Sequence, residues 1–307
     1  MIAILLIKKI ISLFIILTAG YLMVKWKMLK PEDSKVISIL VLYLFLPASI
    51  LSSFQVERTP DVRDGLIMAL VIGAIIHLLL LIINEVLKRT IHLDAVEQVS
   101  LVYSNSANLI YPLIAAVLGD EFVIYGSGYI CVQMFLMWSH GKSTICGEKG
   151  FDFKKVMSNI NMICVVIGIG LFLTGFRFPG PVQDSLSSLG AMIGPAAMIV
   201  AGMLIATMNL KEIFTNKRLW LVSMLRLVGA PLLILVLLKY SGAANFVANG
   251  EKILFISLLA TMAPSASSLT QMAQVYGKDA KYCTAINVAT TLLCFITMPL
   301  LAAIYQL

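Results

Sequence analysis

Apolar residues gather in ten runs, at roughly 4–24, 36–55, 65–87, 98–118, 122–140, 157–175, 186–208, 218–239, 252–273 and 282–305. A helix needs about 20 apolar residues to cross the hydrocarbon core of a bilayer. Each run therefore predicts a membrane-spanning helix, and the connections between them are short. The longest polar stretch, 141–155, falls at the middle of the chain. It divides the sequence into residues 1–140, a linker at 141–155, and residues 156–307, with five spans on each side. Five is odd, so a second half built like the first sits upside down. The pattern predicts an all-α integral membrane protein of ten transmembrane helices in two inverted five-helix repeats. Spans two and seven support the correspondence, since Pro47-Ala48-Ser49 and Pro195-Ala196-Ala197 occupy similar places in the two halves.

Spans four and nine are the unusual pair. YSNSANLIYP (Tyr103–Pro112) and APSASSLTQ (Ala263–Gln271) put polar residues and a proline into the middle of apolar runs. Proline removes a backbone donor and crowds the preceding turn. In hydrocarbon the freed carbonyls need protein partners or a cavity. Asn105, Asn108, Ser265, Ser267, Ser268 and Gln271 are costly in lipid and suit a protein interior. Interrupted spans at matching places in two halves point to a transport site. If each helix unwinds there, its second half begins with N–H groups at mid-membrane, an end that carries partial positive charge and accepts anions. The competing possibility is a simple kink, with the polar side chains bonded back to their own helix.

Few other polar groups lie inside spans. Arg226 in span eight and His77 in span three hold corresponding places. Arg226 either attracts an anionic substrate or satisfies carbonyls of a neighbouring broken helix. His77 reads as a structural histidine. No aspartate or glutamate lies at mid-membrane, which argues against carboxylate-based cation exchange.

Composition agrees with the spans. The chain is 60% hydrophobic and 13% charged, with a mean hydropathy of +0.95. A soluble domain is about a quarter charged. With the N-terminus outside, fifteen of the 23 lysines and arginines fall on the cytoplasmic side and seven on the external side. The net charge of +7 is thus a topology signal and not a nucleic-acid patch, and both termini come out external. Lys8 and Lys9 are the local exception, with stems long enough to reach the interface. The five cysteines show no CxxC and the three histidines no metal-ligand spacing. No nucleotide loop, cofactor motif or convergent catalytic set appears, which argues against an enzyme. Gly190 with Gly194, and Gly168 with Gly170, offer close helix contacts or a homodimer face.

Four segments carry a family resemblance: Gly20–Phe54, with its basic loop and late proline; YSNSANLIYPLI; RLVGAPLL at Arg226–Leu233; and the tail from Ala263 to Leu300. They resemble the auxin efflux carrier family, which includes plant auxin exporters and bacterial permeases associated with malate and malonate. The likeness covers nearly all ten spans. It implies that spans four and nine cross near their proline breaks, and that spans one, two, six and seven form a scaffold for a mobile unit with elevator-like motion. It places Asn105, Asn108 and Pro112 on the first break and Pro264 on the second. It also puts Gln133 near a substrate-contacting position, and Ser49 and Ser52 beside the substrate path. The serine-rich APSASS departs from the plant pattern, so the plant substrate does not carry over.

The function expected is secondary transport of small organic anions across the cytoplasmic membrane, with the lipid bilayer as surroundings and no cofactor. Two other classes stay open: a sodium-coupled carrier of the related bile-acid-transporter fold, and a membrane sensor that binds a ligand without moving it.

Overall fold

The computed structural model describes residues 2–55, 57, 59–147, 158, 160–207 and 215–306; side chains at 2–10, 107, 108, 111, 112, 115, 116, 120 and 295 are not described. Arg58, Lys149, Lys154, Lys155, Lys211 and most of the linker at 141–155 lie outside the described residues, as do the side chains of Lys8, Lys9, Asn108 and Pro112.

The described chain is helical. Its helices are α1 (Ile2–Lys25), α2 (Pro31–Ser53), α3 (Pro60–Ile91), α4 (Ala95–Val102) and α5 (Ser106–Val117). Then come α6 (123–146), α7 (Ile160–Thr174), α8 (Gly180–Ile205) and α9 (Lys217–Tyr240). The last three are α10 (Gly250–Met262), α11 (Ser267–Val275) and α12 (Ala280–Gln306). Among the described residues four helices, α2, α3, α8 and α9, are long and apolar enough to cross a membrane, and α12 makes a fifth if its two arms count as one span. α3 exposes Ile67, Val71, Ile75, Leu78 and Ile82 along one stripe. In water such a stripe is a liability; in hydrocarbon it is the expected outer face. The chain is a membrane protein.

Local chemistry sets the helix ends. Thr59 caps α3, its hydroxyl accepting from the Val62 amide, and Pro60 follows in the first turn. Asp94 and Glu97 form a reciprocal cap at α4, and Asn216 caps α9. Prolines inside spans act through widened turns. The π turn Val41–Phe45 precedes Pro47 in α2, and the π turn Leu225–Gly229 precedes Pro231 in α9. A proline displaces the carbonyl four residues before it, and a widened turn absorbs the clash. The Leu42 carbonyl in the first of these turns is taken up by Asn161 Nδ2 of α7 at 3.1 Å.

Two groups of contacts emerge. α1 packs along α8, and α2 packs on α7 and α8; α3 packs along α6, and α10 lies against both. Glycines set the closest approaches. A Cβ on Gly202 would run into the Leu17 carbonyl, and one on Gly20 into the backbone of Ile199, so α1 and α8 touch backbone to backbone. Gly190 does the same against Ser49 of α2. Without a hydrophobic drive between helices in lipid, such contacts are a main source of association.

One buried charge pair ties four helix ends together. The Glu97 carboxylate, 2% exposed, accepts from Arg218 Nε at 2.7 Å and Nη2 at 2.8 Å, and from the Tyr282 hydroxyl at 2.9 Å. Arg218 also donates to the carbonyls of Ile91 and His92. This joins α3, α4, α9 and α12.

Two outcomes test this packing. Gly202→Ala should lower the stability of the detergent-purified protein by about 1–3 kcal/mol, read from chemical or thermal unfolding; an unchanged midpoint would contradict the backbone contact. Arg218→Ala should cost more than Glu97→Gln, because it strands a buried carboxylate whereas the second leaves a cation that can reach solvent. The reverse order would refute the assignment of the buried partner.

Candidate functional site

Two interrupted helices meet at one point. α4 ends at Val102 and α5 starts at Ser106; α10 ends at Met262 and α11 starts at Ser267. The intervening residues leave helical geometry, with Tyr103 at φ −99°, ψ 127° and Ala263 at φ −64°, ψ 152°. Ser104 and Ser265 then pair as an antiparallel β bridge. The Asn105 amide donates to the Pro264 carbonyl at 2.7 Å, and the Ala266 amide to the Tyr103 carbonyl at 3.0 Å.

This geometry creates a problem that side chains solve. In this type of antiparallel pairing, the two residues directly opposite turn their own N–H and C=O groups away from each other. Ser104 and Ser265 are buried, so those four outward groups need partners. Gln133 of α6 serves Ser104. Its Oε1 accepts from the Ser104 amide at 3.0 Å and hydroxyl at 2.7 Å, and its Nε2 donates to the Ser104 carbonyl at 2.8 Å and to Ser106 Oγ at 3.2 Å. Only one orientation of the amide matches this set. α12 serves Ser265: the Ser265 amide donates to Thr290 Oγ1 at 3.1 Å, and Asn287 Nδ2 donates to the Ser265 carbonyl at 2.6 Å. Each side of the crossing is thus closed by side chains from one helix.

Arg226 deals with the helix ends. Fully buried in the π turn of α9, it donates through Nη1 to the Leu101 carbonyl and through Nη2 to the Ala263 carbonyl, both at 3.0 Å. One guanidinium therefore binds the carbonyl ends of both first half-helices, where the helix dipole is negative. The N-terminal ends of α5 and α11, where it is positive, lie beyond the bridge. Of the two roles open to Arg226 on the sequence, this contact matches the second.

The other residues singled out in the sequence fall in different places. Asn105 stands as the N-cap residue of α5, and its Oδ1 accepts from Ser267 Oγ across the crossing at 3.4 Å. Ser268 Oγ lies 3.4 Å from Met137 Sδ of α6. Gln271 is wholly buried on α11, and neither its Oε1 nor its Nε2 has a hydrogen-bond partner. Its neighbour one turn on, Gln274, accepts from Ser38 Oγ of α2 at 2.7 Å. Asn108 falls in the first turn of α5. Pro112 falls further along the same helix, so the break at 103–105 precedes that proline, whereas Pro264 lies within its break. Ser52 bonds Ser187 and Gln183 of α8 at 2.9 Å, and Ser49 packs against Gly190. These two sit in the α2–α8 contact and not at the crossing.

Asn287 and Thr290 were not singled out in the sequence. Their signal was the polar set Thr284, Asn287, Thr290 and Thr291, spaced along one side of an otherwise apolar span. A separate apolar groove of about 890 Å³ runs between α3 and α9, lined by Met68, Ile72, Ile76, Ile234 and Leu238 among others. Its walls suit lipid and not an anion. Among the described residues no group of three or more His, Cys, Asp or Glu could hold a metal ion.

No curated protein matches the chain. Two stretches, residues 5–160 and 149–302, match the family model described as membrane transport protein. Together they run across almost the whole sequence, and the chain belongs to this membrane transport protein family, the auxin efflux carrier family.

Proposed function

We propose that the protein is a secondary transporter of small organic anions, carboxylates such as malate, malonate or auxin-like acids, working by alternating access across the cell membrane. In this reading ten spans form two inverted repeats, residues 1–140 and 156–307 joined by 141–155. Two spans are the broken pairs α4–α5 and α10–α11. The contacts of α1 and α2 with α7 and α8 support a scaffold of spans one, two, six and seven. The remaining spans carry the crossing and slide against that scaffold.

The observation that carries the reading is Gln271. A buried amide without partners costs about 1–3 kcal/mol, and here it lies on the helix whose N-terminus meets that of α5 at the crossing. A carboxylate near those ends gains from two partial positive charges and from an amide that no protein group occupies. Asn105, Ser265, Ser267 and Ser268, with Asn108 and Pro264, belong to the same region. Gln133 already makes four hydrogen bonds, its full capacity, so a substrate contact there must displace one. Efflux of an anion can run on an inside-negative potential, worth about 2.3 kcal/mol per charge per 100 mV.

Competition by mono- and dicarboxylates for uptake into proteoliposomes, with the membrane potential clamped, tests the reading. Saturable, sodium-independent flux is expected. Binding without flux would favour a sensor, and strict sodium dependence a sodium-coupled carrier.

Two glutamines separate ligand contact from architecture. Gln271→Leu should cut transport at least about tenfold, the loss of one charge-assisted hydrogen bond, while stability holds or rises. Gln133→Leu should destabilise the protein by about 1–3 kcal/mol, because it leaves both backbone groups of Ser104 buried and unpaired. Normal flux in Gln271→Leu would sink the site. Arg226→Gln should lose stability before it loses affinity, since two helix ends go unbound; a fully stable variant with weakened anion binding would move Arg226 into the substrate site.

A further inference from the structure

Side-chain hydrogen bonds join the first half of α2 to the C-terminal end of α11. Gln274 of α11 sits between two wholly buried hydroxyls of α2, Ser34 and Ser38, one turn apart. Its Oε1 accepts from Ser38 Oγ at 2.7 Å, and its Nε2 donates to Ser34 Oγ. Ser34 Oγ in turn donates to the Pro31 carbonyl, so each hydroxyl proton has one place and the amide one orientation. Beside this clamp the hydroxyls of Tyr43 and Tyr276 lie 3.4 Å apart. Lys142 Nζ of α6 stands 5.1 Å from the centre of the Tyr276 ring, a cation–π contact that steadies the tyrosine from its own side.

The place of the clamp matters more than its strength. α11 runs from Ser267 at the crossing to Val275, so Gln274 and Tyr276 lie beyond Gln271 on the way out. Gln271 is completely buried. The neighbouring segments carry Lys30, Lys35, Lys142, Lys278 and Lys281, part of the basic excess that marks a cytoplasmic face. The clamp thus stands between the crossing and that face.

Its bonds are also of the kind that can be exchanged. Within each group of helices the ties are of another sort. α1 and α8 touch backbone to backbone at Gly20 and Gly202, and Glu97 pairs full charges with Arg218. Parting those opens a void or strands a carboxylate. Parting Gln274 from α2 leaves neutral groups with substitutes: the serine hydroxyls can bond back to carbonyls of their own helix, and an amide that moves toward the cytoplasmic face meets water. Neutral hydrogen bonds have a small net strength, enough to bias two positions without fixing one.

We propose that Gln274, with Ser34 and Ser38, is a latch. It holds α11 on α2 in the position seen here, closes the anion site on the cytoplasmic side, and opens once in every cycle before that side gains access. Tyr43 and Tyr276 form a second catch on the same pair of helices. The latch rests on the sliding of two groups proposed above and not on which anion is carried.

The test uses the whole chain in lipid nanodiscs, with nitroxide labels on p-acetylphenylalanine at positions 26 and 89. Trp26 and Arg89 are exposed, one at the end of α1 and the other near the end of α3, and neither touches the latch. Pulsed electron spin resonance then reads the distance between the two groups of helices. The wild type should show one major distance and a minor, displaced one. Gln274→Leu should raise the displaced fraction relative to the major one at least about tenfold, since two hydrogen bonds go. Ser34→Ala with Ser38→Ala should do the same. All three substitutions together should add nothing to either set alone, and the unfolding midpoint should hold. A lowered midpoint with an unchanged distance distribution would make the contact mere packing and overturn the latch, as would additive effects. Malonate titration on the same samples keeps the two readings apart. Saturable malonate binding with no shift in any variant overturns the latch and leaves the anion site standing. A shift without saturable binding of malonate, malate or indole acetate supports the latch and overturns the anion site.

Discussion

Breaking two helices in the interior of a membrane protein leaves buried backbone groups that water cannot reach, and everything at the centre of this protein follows from satisfying them. The two breaks solve half of the problem for each other through the Ser104–Ser265 bridge. The other half falls to side chains. Gln133 on one side, and Asn287 with Thr290 on the other, act as surrogate strands along the outer edges of the bridge. Arg226 takes the carbonyl ends of α4 and α10. Each of these groups would be a severe cost in lipid if unpaired; paired, they hold the crossing in one geometry.

The arrangement has a polarity. Negative helix ends are bound by a guanidinium on one side of the bridge, and the positive ends of α5 and α11 lie on the other. A fixed field of that kind needs no reorganisation to receive an anion. The Glu97–Arg218–Tyr282 cluster stiffens the same group of helices at the far end of α4. The glycine contacts of α1 with α8 bind a second group. Between these two groups Ser38 of α2 donates to Gln274 of α11, a polar contact that any sliding of one group on the other, as proposed above, has to exchange.

Much of this was legible in the chain. The runs of apolar residues announced a membrane protein, and the polar interruptions at 103–112 and 263–271 marked both breaks, because asparagine and serine clusters have no place in a lipid-facing helix. The exact point of the first break was not legible from its proline. Pro112 lies inside α5, while the extended residues are Tyr103 to Asn105, held open by Gln133 from a distant part of the sequence. Proline is a local signal, whereas the clamp is a tertiary one. The same limit explains Asn287 and Thr290, which look like ordinary polar residues until Ser265 is placed against them. Ser49 and Ser52, which motif position puts beside a substrate path, bond and pack against α8. Arg226 stood out at once as an intramembrane charge, but only the structure supplies its two carbonyl partners.

The central claim is that an anion occupies the ground between the N-termini of α5 and α11, within reach of the Gln271 amide. Solid-state NMR on the protein in bilayers, with carboxylate carbon-13 malonate and nitrogen-15 glutamine, measures this directly. The account predicts a dipolar coupling between the bound carboxylate and the Gln271 side-chain nitrogen that corresponds to hydrogen-bonding distance. It also predicts that the coupling disappears in Gln271→Leu. Malonate bound with no coupling to that nitrogen, or coupled to groups in the α3–α9 groove instead, would contradict it.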